Sequence, residues 1–265
     1  MKQGKGRWVF PLVGLVVGFF ALPQLFHTDL GFWGAGVCHR VVERSLQADG
    51  RPLPLCARCT GLYLGFLASA TLTFVRARGR PVGLPSWPVL AVLGSFLLVV
   101  GIDGLNSYLS LWLGHGPLYP PHNTLRVVTG SLEGVALAGI FWPVLYLGLW
   151  EAAPQPDRRA GRGLPPVLAT VAALDLFALW HPRGSFYPLA LLSLAGLLLA
   201  LGMLNMLLVG LFLRRAGHVA SWKEAGNLLA WSLWLALLEL AGLAFVRYRL
   251  TGAFSLSLYE TTGKY

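Results

Sequence analysis

All three cysteines of the chain lie in one short stretch, between Cys38 and Cys59. Cys38 is followed by His39 and Arg40, and Cys56 forms a C-x-x-C pair with Cys59. The thiolate form of cysteine binds metal ions and attacks disulfides. The stretch is therefore the first candidate for a functional site.

The C-x-x-C pair is expected in the first turn of a helix that begins near Leu55, after the loop prolines. Two cysteines three residues apart then share one helix face. The free N–H groups and the positive end of the helix dipole favour thiolate at this position, and Arg58 acts in the same direction. We therefore expect Cys56 and Cys59 to be chemically active thiols.

Three interpretations of the cysteines stay open. In the first, Cys38, Cys56 and Cys59 bind zinc, and His39 or His122 completes a Cys3His site. In the second, Cys56 and Cys59 form a redox pair of a membrane thiol-disulfide oxidoreductase, with which Cys38 exchanges. In the third, one structural disulfide pins the first loop to the second helix.

Charged and amide side chains accompany the cysteines in this otherwise apolar chain. Arginine clusters bind carboxylate or phosphate groups, so an anionic lipid headgroup is an expected ligand. Acidic residues within apolar runs are costly in a bilayer and mark functional or paired groups, which leaves a proton-coupled transporter or lipid flippase as an alternative. The residues expected to bind the anion or to support the site are Arg40, Glu43, Arg44, Arg58, Asp103, Asn106, Asn123, Arg126 and Glu133.

Local spacing assigns simple roles to some of these residues. Asp103 and Asn106 are three residues apart and share a helix face. Asn123 is expected to cap the N-terminus of a helix. An ion pair between Asp103 and Arg126 is the structural alternative to a functional role, while Glu133 is expected to orient site groups or to exchange protons.

The composition indicates a membrane protein. The 265 residues are 55% hydrophobic and only 12% charged, against roughly 25% charged residues in soluble domains. The mean hydropathy is +0.63. The formal net charge of +10 comes mainly from short clusters between apolar runs, which favours membrane orientation over nucleic-acid binding.

Seven apolar runs predict an all-α, polytopic transmembrane helix bundle. Gly61 and Gly65, and likewise Gly130 and Gly134, have the small-xxx-small spacing of closely packed helices. The predicted runs are Trp8–Phe26, Ala57–Val75, Trp87–Asn106, Leu125–Trp150, Leu164–His181, Phe186–Leu213 and Gly226–Val246.

Loop charges predict the orientation, because cytoplasmic loops carry an excess of Lys and Arg. With the N-terminus inside, every cytoplasmic segment carries a basic cluster. The cysteine stretch then lies on the extracytoplasmic side of the cell membrane. The clusters are Lys2, Lys5 and Arg7; Arg76, Arg78 and Arg80; Arg158, Arg159 and Arg162; Arg214, Arg215 and Lys223.

The motifs together resemble a prokaryotic family of membrane proteins catalogued as a domain of unknown function. They are C-H-R-x-x-E-R-S from residue 38, C-x-R-C-x-G from residue 56, G-I-D-G-L-N from residue 101 and P-H-N-x-L-R from residue 121. The resemblance covers roughly residues 30–145 and implies a membrane location and a shared polar core, but no activity. We expect residues 1–265 to form a single integral membrane domain, in which 164–246 add further helices.

Overall fold

The fold is given by a computed structural model, which describes residues 9–25, 29–77, 82–151, 160–213 and 217–254. The described residues are predominantly helical, and a short irregular segment separates the first two helices from the third. The helices are α1 (Val9–Leu25), α2 (Gly31–Ala35), α3 (Ala57–Ala77), α4 (Trp87–Leu113), α5 (Asn123–Leu149), α6 (Ala160–Trp180), α7 (Phe186–Phe212) and α8 (Trp222–Thr251).

The predicted helix bundle is confirmed, and several of its helices extend beyond the predicted runs. Helices α3 to α8 are long and apolar enough to cross a membrane, whereas α1 has 17 residues. Helix α4 continues to Leu113, beyond the predicted end at Asn106, and α6 begins at Ala160 rather than at Leu164. Two prolines lie within α6, a position that transmembrane helices tolerate better than soluble ones.

The segment between α2 and α3 contains structure that periodicity did not predict. A 3₁₀ turn spans Val42–Arg44. Two-residue strands β1 (Gln47–Ala48) and β2 (Arg51–Pro52) then pair antiparallel. Elements this short carry no periodic hydrophobic pattern, so only the structure reveals them.

Among the described helices, α3 and α5 form the closest pair, because glycines of each helix lie directly against the backbone of the other. A Cβ added at Gly61 would lie 2.1 Å from the carbonyl oxygen of Val127, and one at Gly130 would lie 2.2 Å from that of Arg58. Real side chains do not come this close to backbone. The small-xxx-small prediction is confirmed, and the contact fixes the helix starts that carry the site.

Short helix α2 is held by the helices on either side of it. The Trp33 ring stacks on Phe19 of α1 at a centroid distance of 5.3 Å, and its Nε1 donates to the Phe19 carbonyl at 3.0 Å. Gly36, just after α2, lies against the backbone of Leu240 in α8. The loop that follows α2 is therefore anchored before it reaches Cys38.

Helices α3 to α8 alternate in direction, so the starts of α3, α5 and α7 share one face with the ends of α4, α6 and α8. Arg58 near the start of α3 contacts Asp103 in the second half of α4, and Ser131 of α5 donates to Asp175 of α6 at 2.5 Å. The cysteine stretch lies on this face. The membrane orientation of the chain was predicted from basic residues, and most of these lie outside the described residues. They are Lys2, Lys5, Arg7, Arg78, Arg80, Arg158, Arg159, Arg214 and Arg215.

Candidate thiol and arginine site

The three cysteine sulfurs meet in one cluster. The Sγ atoms of Cys38, Cys56 and Cys59 all lie within 4.8 Å of one another, and none is in a disulfide. Cys38 and Cys56 are buried, and Cys59 is partly buried. Residues from two separate segments thus present three thiols to the same point.

Backbone contacts explain how the two segments meet. The carbonyl of Cys56, directly before α3, accepts the N–H of Thr60 at 2.8 Å, while its own N–H donates to the Cys38 sulfur at 3.2 Å. Near the end of α8, Arg247 donates to the carbonyls of Cys38 and, at 2.7 Å, of His39. The C-terminal helix therefore holds the Cys38 loop in place.

The hydrogen bonds around the Cys38 sulfur favour negative charge on that atom. The thiols of Cys56 and Cys59 lower the pKa of Cys38 to about 2, with a further contribution from backbone N–H donors. The backbone N–H of Arg40 lies 3.5 Å from this sulfur. In return, the negative sulfur raises the pKa of Cys56 to about 11. One sulfur thus carries the charge that the other two solvate.

The two histidines predicted as fourth ligand do not join the thiols. Among the described residues, the ligand group holds the three cysteines alone. The Nδ1 of His39 accepts the N–H of Val41 at 3.0 Å, and burial lowers the pKa of His39, so the neutral ring carries its proton on Nε2. His122 is the exposed residue preceding α5. The expected Cys3His set is not formed in this arrangement, because the Nδ1 of His39 is bonded to the backbone and neither histidine lies within the thiol cluster.

A second polar group centres on Asp103, which is 1% exposed. Its carboxylate pairs with Arg58, and it accepts hydrogen bonds from the hydroxyls of Tyr119 at 2.9 Å and Thr129 at 3.2 Å. The ion partner of Asp103 is therefore Arg58, and the expected pair with Arg126 is not formed. These bonds join α3, α4 and α5 at the site.

Asn106 fixes the loop between α4 and α5. Its side-chain amide donates to the carbonyl of Tyr119 at 2.9 Å, and its oxygen accepts the N–H of Leu118 at 2.9 Å. As predicted from their spacing, Asp103 and Asn106 act on the same side of α4. Both hold the loop that leads to α5.

Asn123 plays a different role from the predicted cap. The residue before α5 is His122, and Asn123 is the first residue of the helix. Its amide nitrogen donates to the carbonyls of Glu43 at 3.3 Å and Ser45 at 3.4 Å, while its oxygen accepts Arg126 at 2.8 Å. The side chain thus ties α5 to the 3₁₀ turn instead of capping α5.

A groove of about 390 Å³ runs between the cysteine segment and α4. His39, Arg44 and Arg58 line one part of it, and Ser107 and Tyr108 of α4 line another. Burial lowers the pKa of Arg44, and the nearby positive charge of Arg58 lowers it further. Two mutually repelling guanidinium groups therefore face one groove.

The remaining predicted residues lie apart from this groove. Arg40 is buried with φ +49°, a left-handed conformation that costs energy for a side chain, and it donates to the carbonyl of Phe254 at 3.1 Å. Glu43 is exposed on the 3₁₀ turn. Glu133 is half-buried within α5, about 15 Å below the helix start at 1.5 Å per residue. Arg40 is thus used to hold the fold.

Two site residues were not singled out from the sequence. Arg247 binds the Cys38 loop from about 200 residues away, and Ser107 accepts Arg58 at 3.3 Å. A signal for Arg247 existed, because a basic residue at the end of an apolar helix on the cysteine face departs from the expected charge bias. Ser107 gave none.

Two archaeal proteins are similar to part of the chain. An uncharacterized protein of Methanothermobacter thermautotrophicus is 35% identical over 104 residues, which are 38% of this chain and 81% of that protein. Uncharacterized protein MJ1492 of Methanocaldococcus jannaschii is 23% identical over 111 residues, 42% of this chain and 64% of that protein. No solved structure matches the chain.

The family model described as "Predicted membrane protein (DUF2085)" matches residues 38–140. This range begins at Cys38 and contains the thiol cluster, the Asp103 network and the start of α5. It ends before α6, so the helices from α6 onwards lie outside it. With the family model and the archaeal relative in agreement, the chain belongs to the DUF2085 family of predicted membrane proteins.

Proposed function

We propose that this protein binds a zinc ion through the thiolates of Cys38, Cys56 and Cys59, at the extracytoplasmic face of the cell membrane. The observation that carries the proposal is the convergence of three Sγ atoms within 4.8 Å. Zinc–thiolate bonds of about 2.3 Å in a tetrahedral site separate the sulfurs by about 3.8 Å. Small side-chain adjustments therefore suffice to close the three sulfurs around one ion.

The surroundings of the sulfurs support metal binding over a disulfide. The backbone N–H groups of Arg40 and Cys56 both point at the Cys38 sulfur, and such donors stabilise negative charge on sulfur. A thiolate held in this way is prepared for a cation. A single disulfide would leave the third thiol without a role.

The fourth coordination position is left for water or a ligand. Three protein ligands with one open position are typical of zinc sites that polarise a bound group, whereas structural sites use four. His39 lies in the adjoining groove, and His122 lies at the start of α5. Neither histidine fills the position in this proposal.

The placement of the site outside the cytoplasm is supported by the charge pattern. The basic clusters between apolar runs belong to the opposite ends of the helices, where positive residues favour the cytoplasm. We take residues 1–265 as one integral membrane domain, since Leu194 and Leu197 of α7 join the same core as Cys38.

Elemental analysis of the purified full-length protein, combined with thiol titration of the same sample, tests the zinc proposal. We expect one zinc per chain, thiols that react only after chelation, and loss of zinc in Cys59→Ser. His122→Ala serves as the matched control and should keep its zinc. Metal-free protein with a cycling Cys56–Cys59 disulfide in cells would replace the proposal by the thiol oxidoreductase.

A second proposed activity is recognition of an anionic lipid headgroup in the 390 Å³ groove. Two guanidinium groups and the Nε2–H of His39 supply donors, and the groove opens beside α4, whose surface is largely exposed to lipid. Phosphate oxygens would relieve the repulsion between Arg44 and Arg58. Asp103 is fully engaged by its partners, which favours an orienting role over proton exchange.

Binding of phosphatidylglycerol and phosphatidylcholine to the purified protein tests this second activity. We expect a preference for phosphatidylglycerol that falls about tenfold in Arg44→Gln, the loss typical of one charged hydrogen bond. Arg162→Gln, an exposed arginine near the start of α6, is the matched control. Equal binding of the two lipids, or an equal loss of affinity in Arg44→Gln and Arg162→Gln, would overturn the headgroup assignment. Neither result would change the zinc content, which reports on the thiol site separately.

A further inference from the structure

A second groove opens on the same face of the bundle, on the other side from the arginine groove. It has a volume of about 230 Å³ and lies between the end of α1, the hairpin and the start of α7. Arg51 and Asp29 line it, together with the rings of Phe20, Phe186 and Tyr187. No part of the zinc or headgroup proposals uses this groove.

The hairpin is fixed to α7 by one carboxylate. Asp49 and Gly50 both have positive φ, of +51° and +72°, as a two-residue hairpin turn requires. The Asp49 carboxylate accepts the N–H of Gly184 at 2.8 Å and that of Phe186 at 3.1 Å. This clamp sets the position of Arg51, which follows the turn.

Arg51 is stacked and keeps its donors available. Its Cζ lies 4.4 Å from the Phe186 ring centroid and 5.4 Å from that of Tyr187. A guanidinium lying on a ring still directs its N–H groups outward in its own plane. Within the described residues, the Arg51 side chain makes no hydrogen bond or ion pair, although the nearby Asp49 carboxylate attracts it, and Arg51 lines the groove.

Asp29 supplies the opposite charge. One of its oxygens accepts the N–H of Gly31 at 2.8 Å, and the second oxygen has no hydrogen-bond partner among the residues that the structure describes. Asp29 attracts the buried Arg40 without forming an ion pair with it, and among the described residues it forms none with Arg51 either. A fixed cation and a fixed anion thus border one groove separately.

We propose that this groove binds a zwitterionic phospholipid of the ethanolamine type. Arg51 holds the phosphate, and Asp29, together with the Phe20 ring of the same groove, holds the ammonium group. The apolar wall formed by Phe20 and Leu191 continues along the helices and accommodates the start of an acyl chain. The pairing of charges selects this headgroup over one that carries negative charge only.

Native mass spectrometry of the delipidated full-length protein, titrated with phosphatidylethanolamine or phosphatidylglycerol, tests the proposal. Every variant is compared in an Arg44→Gln background, which weakens phosphatidylglycerol binding at the arginine groove. We expect phosphatidylethanolamine to bind about tenfold more tightly at this groove. Arg51→Gln should weaken both lipids by about tenfold. Asp29→Asn keeps the acceptor for Gly31 and should weaken phosphatidylethanolamine alone. The matched control is Arg249→Gln, an exposed arginine near the Phe245 ring at the same face, which should change neither affinity.

Two results would overturn the proposal. The first is equal affinity for the two lipids together with an Asp29→Asn variant that behaves as wild type. The second is an Arg51→Gln variant that binds lipid as Arg249→Gln does. Unchanged zinc content and melting temperature in each variant would show that any lost affinity comes from the groove and not from unfolding or from the thiol site.

Discussion

The contact between α3 and α5 gives the sharpest mutational prediction, because it joins Arg58 and Cys59 to the rest of the site. A Cβ added by Gly130→Ala would lie 2.2 Å from the carbonyl oxygen of Arg58, about 1.2 Å short of the 3.4 Å at which ordinary contact begins. The obstacle is backbone and cannot rotate away. The two helices must therefore separate.

The cost can be estimated from two opposing effects. Overpacking of this kind costs about 1–3 kcal/mol, and the upper end applies where backbone must move. Alanine recovers about 1 kcal/mol through its higher helix propensity. We expect Gly130→Ala to lower the free energy of unfolding by about 2 kcal/mol, which corresponds to a fall in Tm of about 4–8 °C.

Thermal unfolding of the detergent-solubilised protein measures this effect, with Gly101→Ala as the matched control. Gly101 is an exposed helical glycine of α4 with no atom within 4 Å of its added Cβ. The control should keep or slightly raise the Tm. If Gly130→Ala and Gly101→Ala unfold at the same temperature, the close packing of α3 against α5 is refuted.

Two further predictions concern the polar contacts that shape the site. Asp103→Asn leaves Arg58 without its anion and should lower the free energy of unfolding by about 3 kcal/mol. Ser107→Ala removes one hydrogen bond to Arg58 and should lower it by about 1 kcal/mol. Denaturant unfolding measures both values, and equal losses would contradict the assigned ion pair. The N–H groups of Gly184 and Phe186 lower the pKa of Asp49, so the folded pKa lies below the unfolded value of about 3.9. The clamp is therefore fully stabilising above that value and is lost as the pH falls through the lower folded pKa. Hydrogen exchange should show these two amides protected at neutral pH in wild type and unprotected in Asp49→Ala, and equal exchange would contradict the clamp.

The sequence predicted the parts of this fold that have a repeating physical cause. Long apolar runs require helices in a bilayer, and the glycine spacing at 61/65 and 130/134 indicated close helix packing without naming the pair of helices. The convergence of the cysteines was also predicted, because Cys56 and Cys59 share a helix turn and polar groups gather at one membrane face.

The rest depended on contacts between distant residues. From the sequence, Arg126 was the partner considered for Asp103, whereas the structure pairs Asp103 with Arg58. Arg247 reaches the Cys38 loop only because α8 packs beside α2. Asn123 does not cap α5, since it is the first residue of the helix and its side-chain oxygen accepts Arg126. Each outcome depends on tertiary geometry that no local pattern encodes.

In the proposed site, three sulfurs of this chain share one metal ion. Zinc K-edge X-ray absorption on the purified full-length protein measures those bonds directly. The proposal predicts three sulfur atoms at about 2.3 Å and one nitrogen or oxygen atom at about 2.0–2.1 Å, with the sulfur signal reduced in Cys59→Ser. A spectrum with only nitrogen and oxygen neighbours, or one unchanged in Cys59→Ser, would contradict it.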